Sequence, residues 1–160
     1  MKTTPQPDMG TQLCLAVSDA DIERTKQLLD RGADVNSLGN RRYAVVAHRT
    51  PLWGAVSSAG MIGSAEWKEM VSGLGLLMPH ILERDDVAKR RRYFQLVEML
   101  IDAKANLEAL SFGTTPLWPA VHAKDLEMTK LLLTRGANPN RVLKEPCFEK
   151  TTLDFIEVFA

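Results

Sequence analysis

Apolar positions fall along the chain in short groups whose spacing alternates between contiguous and helical. Leu13, Leu15, Ala16 and Val17 form a first apolar segment, which Asp19-Ala20-Asp21 breaks with turn-forming chemistry. Ile22, Thr25, Leu28 and Leu29 then recur at three- and four-residue intervals, one face of a helix, and Gly32 stands where a left-handed cap is wanted. The pattern predicts helix, turn, helix, glycine stop. It returns further on: Leu117, Ala120 and Val121 predict one helix, Leu126, Met128, Leu131, Leu132 and Leu133 a second, and Gly136 the stop. Pro116 falls at a first helical position, where its missing N–H costs nothing, with Thr115 before it as N-cap.

Aligning these groups exposes a repeated phrase. Thr11-Gln12-Leu13 is followed by Gly32-Ala33-Asp34-Val35-Asn36, Thr50-Pro51-Leu52 by Lys104-Ala105-Asn106-Leu107-Glu108, and Thr115-Pro116-Leu117 by Gly136-Ala137-Asn138-Pro139-Asn140. A fourth opening, Thr151-Thr152-Leu153, stands near the end, followed by the apolar Phe155, Ile156, Val158 and Phe159. That segment is expected either to cap the last repeat or to begin a unit cut short. The openings, together with the Leu-Leu-x-x-Gly-Ala closings at 28–33 and 132–137, resemble the ankyrin repeat, a unit of about 33 residues with a turn and two antiparallel helices.

The resemblance covers nearly everything from residue 10 onward except one block. It implies an all-α fold: an ankyrin-repeat solenoid of stacked helix-turn-helix units, three to four repeats, with a helical insertion inside the second. Residues 1–9 are expected to be a disordered tail and 10–160 one domain. The family usually carries His after Thr-Pro-Leu, where it ties neighbouring repeats through hydrogen bonds. This chain has Cys14, Trp53, Trp118 and Asp154 there, so that network does not carry over, and Trp53 and Trp118 are expected to supply packing area instead. Lys104 replaces the glycine stop of unit two, a cap weaker by about 1 kcal/mol.

Spacing locates the insertion. Thr11 to Ala33 and Thr115 to Ala137 are each 22 positions, whereas Thr50 to Ala105 is 55, an excess of 33 residues lying roughly between Gly60 and Arg92. Trp67, Met70, Val71, Leu74 and Leu77 predict a helix within it, weakened by Gly73 and Gly75 and ended or kinked at Pro79. Asp85 to Tyr93 is expected to lengthen the second helix of unit two backwards. The connecting fingers also differ: Asn36 to Thr50 is 14 residues, Glu108 to Thr115 is 7 and Asn140 to Thr151 is 11. The long first finger is expected to pair Arg41 to Ala47 as a small hairpin.

Composition narrows the function classes. Hydrophobic residues make up 45% of 160, enough for one packed core, and 20 basic side chains balance 20 acidic ones. Such a chain has no global field for nucleic acid or an anionic membrane, so any electrostatic recognition must be local. Cys14 and Cys147, far apart, make neither a disulfide framework nor a metal knuckle and point to a reducing compartment. With no apolar leader and no run of membrane-spanning length, the expected location is cytoplasmic.

The chemistry-bearing residues give no catalytic, cofactor or metal set. His48, His80 and His122 lack ligand spacing, and no nucleophile elbow or phosphate loop is present. Asp34, Asn36, Asn138 and Asn140 read as turn caps, with calcium as the rival reading. Lys89-Arg90-Arg91-Arg92 is either the solvated flank of a long helix, paired with Glu83, Asp85 and Asp86, or a surface for an acidic partner.

The resemblance implies a protein that binds another protein and is not an enzyme. The candidate contacts are Arg41, Arg42, Tyr43 and His48 in finger one, Ser111 and Phe112 in finger two, and Arg141, Lys144 and Phe148 in finger three. Trp53 and Trp118 join them if exposed, and Trp67 and Lys89, Arg90, Arg91 and Arg92 come from the insertion. The Thr-Pro-Leu-Trp openings and Gly-Ala-Asn-Pro-Asn close resemble short bacterial ankyrin proteins. The sharper expectation is therefore an immunity protein, monomeric when free, that neutralises a cognate toxin or enzyme. The alternative is a docking segment of a larger scaffold or secreted effector.

Overall fold

The computed structural model describes residues 6–63 and 83–141. Six helices follow one another: α1 (Met9–Ser18), α2 (Ile22–Asp30), α3 (Pro51–Gly63), α4 (Glu83–Asp102), α5 (Leu117–His122) and α6 (Leu126–Thr134). They pack as three pairs, α1 on α2, α3 on α4 and α5 on α6, with α3 in the middle touching both α1 and α5, and α2 touching α4. Among the described residues no strand forms.

The three openings are capped in three ways. In unit two Thr50 behaves as the Thr-Pro-Leu pattern predicts: its hydroxyl accepts the Trp53 amide at 3.3 Å, and Pro51 is the first helical residue. In unit one the helix starts before Thr11, because Asp8 accepts both the Thr11 amide and the Thr11 hydroxyl at 2.8 Å. These bonds hold the Asp8 carboxyl below the usual carboxylate range. Met9 thus opens α1 one residue ahead of the expected domain start. In unit three the expected cap is absent: α5 begins at Leu117, Pro116 occupies the N-cap without a side-chain bond, and the Thr115 carbonyl accepts the Trp118 amide.

The second helix of each outer unit is capped by an aspartate that the pattern did not single out as a cap. Asp21 accepts the Arg24 amide and Asp125 the Met128 amide. The residue before each, Ala20 or Lys124, adopts a left-handed backbone that turns the chain between the paired helices.

Every second helix ends in the same motif. Ala33 N–H donates to Leu28 O, Ala105 N–H to Leu100 O and Ala137 N–H to Leu132 O, all at 2.9–3.0 Å, while the preceding residues Gly32, Lys104 and Gly136 donate to Leu29, Ile101 and Leu133. That preceding residue is left-handed in all three: Gly32 at φ 83°, Lys104 at 68° and Gly136 at 98°. Lys104 adopts the glycine conformation at the cost its Cβ imposes.

One core runs through the three pairs. Val17 from α1, Leu52, Val56 and Ala59 from α3, Leu96, Val97 and Leu100 from α4, Leu117 and Val121 from α5, and Met128 and Leu132 from α6 are buried together. α3 can sit between two neighbours because its inner face is small. Ala55 and Ala59 are fully buried, and a Cβ on Gly60 would lie 2.8 Å from Ala123 Cβ.

The backward lengthening of unit two's second helix is present. Phe94 stands where Ile22 and Leu126 begin α2 and α6, so Glu83 to Tyr93 is an extension that the other units lack. Tyr93 anchors its base: buried, its hydroxyl donates to Ser18 O at 2.8 Å. At the other side of the insertion, α3 continues as helix through Gly63. The helix predicted around Trp67 to Leu77, the kink at Pro79 and the fourth unit lie outside the described residues.

Replacing Lys104 with Gly is expected to raise the unfolding free energy by about 1 kcal/mol, and Gly136→Lys to lower it similarly. Urea titrations of the full chain check both; an unstabilised Lys104→Gly variant would show that the strain is relieved elsewhere.

Candidate functional site

Neighbouring units are stitched by a side-chain ladder. Asp34, Asn106 and Asn138 each close a turn by accepting the amide two residues on, from Asn36, Glu108 and Asn140 at 2.9, 2.9 and 3.0 Å. The residues so positioned then reach across. Asn36 Oδ1 accepts the Asn106 amide at 2.7 Å and Glu108 Oε1 accepts the Asn138 amide at 2.8 Å. The oxygen side chains at these corners are thus engaged with backbone, as turn caps require. Among the described residues no three His, Cys, Asp or Glu side chains converge to hold a metal ion.

The fingers rise from similar bases. In finger two Ser111 and Thr114 exchange backbone hydrogen bonds at 2.9 and 3.1 Å, leaving Phe112-Gly113 as a two-residue loop. Both loop residues are left-handed, Phe112 at φ 52° and Gly113 at 77°, as a type I′ hairpin turn demands. Asn, Asp or Gly normally takes the first of these positions. A phenylalanine there is strained by about 1–2 kcal/mol, and its ring is still 47% exposed.

Finger one closes in a similar way but not on one reciprocal pair: Gly39 N–H donates to Arg49 O at 3.0 Å, while Gly39 O accepts from His48 N–H at 3.1 Å. Residues 40–48 replace the two-residue loop. The expected hairpin over Arg41 to Ala47 is not formed. The segment instead folds as consecutive turns, with Tyr43 N–H donating to Asn40 O and Val46 N–H to Tyr43 O. Val46 is thereby folded under the loop, so close to Gly39 that any Cβ there would collide with the Val46 carbonyl. The adjacent Val45 and Val46 suit a strand, but Val46 is needed as the loop's own core.

The two fingers and α3 meet in an aromatic cluster. Trp53 is buried and its Nε1 donates to Thr114 Oγ1 at 3.0 Å. The Phe112 ring lies edge-on to Trp53 with centroids 5.4 Å apart, and His48 approaches Phe112 at 6.4 Å. The Arg49 guanidinium carbon sits 5.4 Å from the Trp53 ring centroid and 5.6 Å from that of Phe112. Beneath, the Thr50 amide donates to Ser111 Oγ at 3.0 Å. Trp53 therefore adds a hydrogen bond between units as well as packing area. In unit one, Cys14 holds the same position, its thiol against Arg49 O at 3.5 Å, and burial pushes that thiol up to about 12. A shallow crevice borders it, lined by Ser18, Val45 and Arg49 among others.

The remaining expected contacts sort by what already occupies them. Arg41, Arg42 and His48 are exposed on finger one and Tyr43 is half-buried. Ser111 is buried and spent on the turn, and Trp53 does not meet the condition of exposure. Trp118 is half-buried and stacks on His122 with centroids 4.7 Å apart. Arg141 is exposed and pairs with Glu108 at 3.8 Å. Trp67, Lys144 and Phe148 lie outside the described residues.

The basic run divides. Arg90 reaches from α4 to the start of α6, where it pairs with Asp125 at 2.9 Å and Glu127 at 3.1 Å, its guanidinium 4.8 Å from the Phe94 ring centroid. Asp125 is only 3% exposed in its side chain, so Arg90 neutralises a buried charge. At the far end of the same two helices Arg135 pairs with Glu98 and Asp102. Lys89, Arg91 and Arg92 are exposed and form no ion pair with the described residues. The side chains of Glu83, Asp85 and Asp86, expected as intrachain partners of the run, lie outside the described residues.

Two substitutions test this division. Arg90→Ala is expected to cost about 2–3 kcal/mol, because Asp125 keeps a buried charge without its partner, and the partial exposure of Arg90 keeps the loss at the low end. Lys89→Ala and Arg91→Ala should each stay within about 0.5 kcal/mol. Urea midpoints of the three variants decide; equal effects would contradict the separate role of Arg90. Phe112→Asn, which writes the favoured Asn-Gly turn, is expected to leave the thermal midpoint unchanged or higher. A loss above about 1 kcal/mol would mean that the ring contact with Trp53 outweighs the strain.

Residues 112–143 match the family model of the ankyrin repeat, from the tip of finger two through both helices of unit three and past the Asn138–Asn140 turn. No curated protein matches the sequence.

Proposed function

We propose, from the ankyrin repeat that this chain carries, that it is a protein-binding module whose contact face is built at the finger tips. The finer architecture goes with this reading. The units at 9–36, 50–108 and 115–140 are three ankyrin-type repeats stacked as a short solenoid, with the insertion in the middle one. The observation that carries the proposal is Phe112: a half-exposed aromatic ring held in a strained turn that Asn or Gly would adopt freely. Local strain concentrates where binding needs a side chain fixed in place.

The finer form of the function is inhibition of one partner, as an immunity protein occludes a toxin's active site, by a chain acting as a monomer in the cytoplasm. Similarity of the Thr-Pro-Leu-Trp and Gly-Ala-Asn-Pro-Asn segments to short bacterial ankyrin proteins supports it. Co-expression with a toxin encoded beside this gene is the test. Growth should be rescued by the wild type and not by a variant lacking residues 41–47. Failure to bind or neutralise that toxin sinks the inhibitory form. A reading frame continuing past Ala160 would favour the rival, a docking segment of a larger scaffold or secreted effector.

A further inference from the structure

Among the described residues the Arg49 side chain has no counter-ion. The ion pairs among the described residues use Arg90, Arg135 and Arg141. Its Nε is buried and finds no hydrogen-bond partner among the described residues. Yet the residue is fixed at both ends. Its carbonyl accepts from the Gly39 amide and the Cys14 thiol, and its guanidinium rests against the Trp53 and Phe112 rings. A cation immobilised in this way, with its planar donors unspent, has already lost the freedom that binding would otherwise cost it.

The charged side chains of finger one itself are all basic, while the Asp8 carboxylate, tied to Thr11, lies beneath them near Cys14. Between Asp34 and Glu66 the sequence holds Arg41, Arg42 and Arg49 and no acidic residue, although the chain as a whole is neutral. Finger one and the start of α3 are therefore a local positive field. Beside the guanidinium stands the exposed edge of Phe112. A single oriented fork next to an apolar ring matches a carboxylate that has an apolar neighbour. A nucleic-acid backbone would call for a series of cations along a groove.

We propose that Arg49, held between Trp53 and Phe112, receives an Asp or Glu side chain of a partner protein, while Phe112 packs on a large apolar residue next to that carboxylate. The assignment rests on the protein-binding reading and names the chemistry of its centre. Arginine and aromatic side chains in a desolvated setting are the usual anchors of such contacts.

A random linear peptide library displayed on phage, selected on the immobilised full chain, tests this directly. Enriched sequences should place Asp or Glu within three residues of a large apolar side chain. Synthetic versions with that carboxylate amidated should bind the wild type at least about tenfold more weakly, and should lose nothing further on Arg49→Gln. Arg49→Lys should fall between the two. Phe112→Asn, which leaves the turn intact, should weaken binding several-fold and keep the folding check independent of Arg49. Enriched peptides that lack carboxylates, that need phosphorylation, or that bind Arg49→Gln as well as the wild type would overturn the assignment and leave protein binding standing. Enrichment of nothing would overturn both.

Discussion

Each unit of this chain is aligned by the one before it, through a side-chain oxygen that accepts a backbone amide across the boundary. Asn36 does this for Asn106, and Glu108 for Asn138. The constraint is local in sequence and long in consequence. The accepting side chain is aimed because its own amide is tied two residues back. That amide is in place because a left-handed residue has just ended the preceding helix. The depth of each helix pair and the spacing of the finger bases both follow from this corner. Amide acceptance by Asn and Glu tolerates different acids and amides, which explains why the three closings differ in sequence and not in geometry.

Much of this was legible in the sequence. The apolar spacing located both helices of units one and three, and the interval between Thr50 and Ala105 located the insertion and the helix extension ending at Tyr93. What it missed shares a cause: each miss depends on a partner far away in the chain. Nothing near Arg90 announces that it pairs with Asp125 and Glu127 on another helix. Asp21 looked like a turn residue and Asp125 drew no reading, and only the helix that follows each makes it a cap. Ser111 looked like an exposed finger residue, and only its bond from Thr50 shows it to be buried structure. The left-handed pair Phe112-Gly113 was the one feature a closer reading of turn chemistry could have found, since a single glycine between matched Ser and Thr residues suggests a tight turn.

The finger face and the helix pairs are under different demands. In the helical layers local preference and packing mostly agree, the exceptions being the uncapped start of α5 and the left-handed Lys104. At the tips they conflict, with a phenylalanine where glycine or asparagine would be easier and a buried arginine Nε that finds no partner among the described residues. The conflict sits on the part of the molecule least constrained by packing and is supported from below by Trp53, Thr50 and Ser111. Rigidity from the helices is thus transmitted to side chains that lie outside them.

The bases of fingers one and two have a different kind of consequence. Each finger is closed by two backbone hydrogen bonds, joining Gly39 to His48 and Arg49 in one and Ser111 to Thr114 in the other, although the first loop is much the longer. Lengthening a loop on a fixed base costs on the order of 1 kcal/mol in closure entropy. What lies between the closing residues is therefore nearly independent of the architecture below. A lineage carrying this chain could exchange the contents of finger one, in length as well as in sequence, and inherit a new target without having to refold the protein.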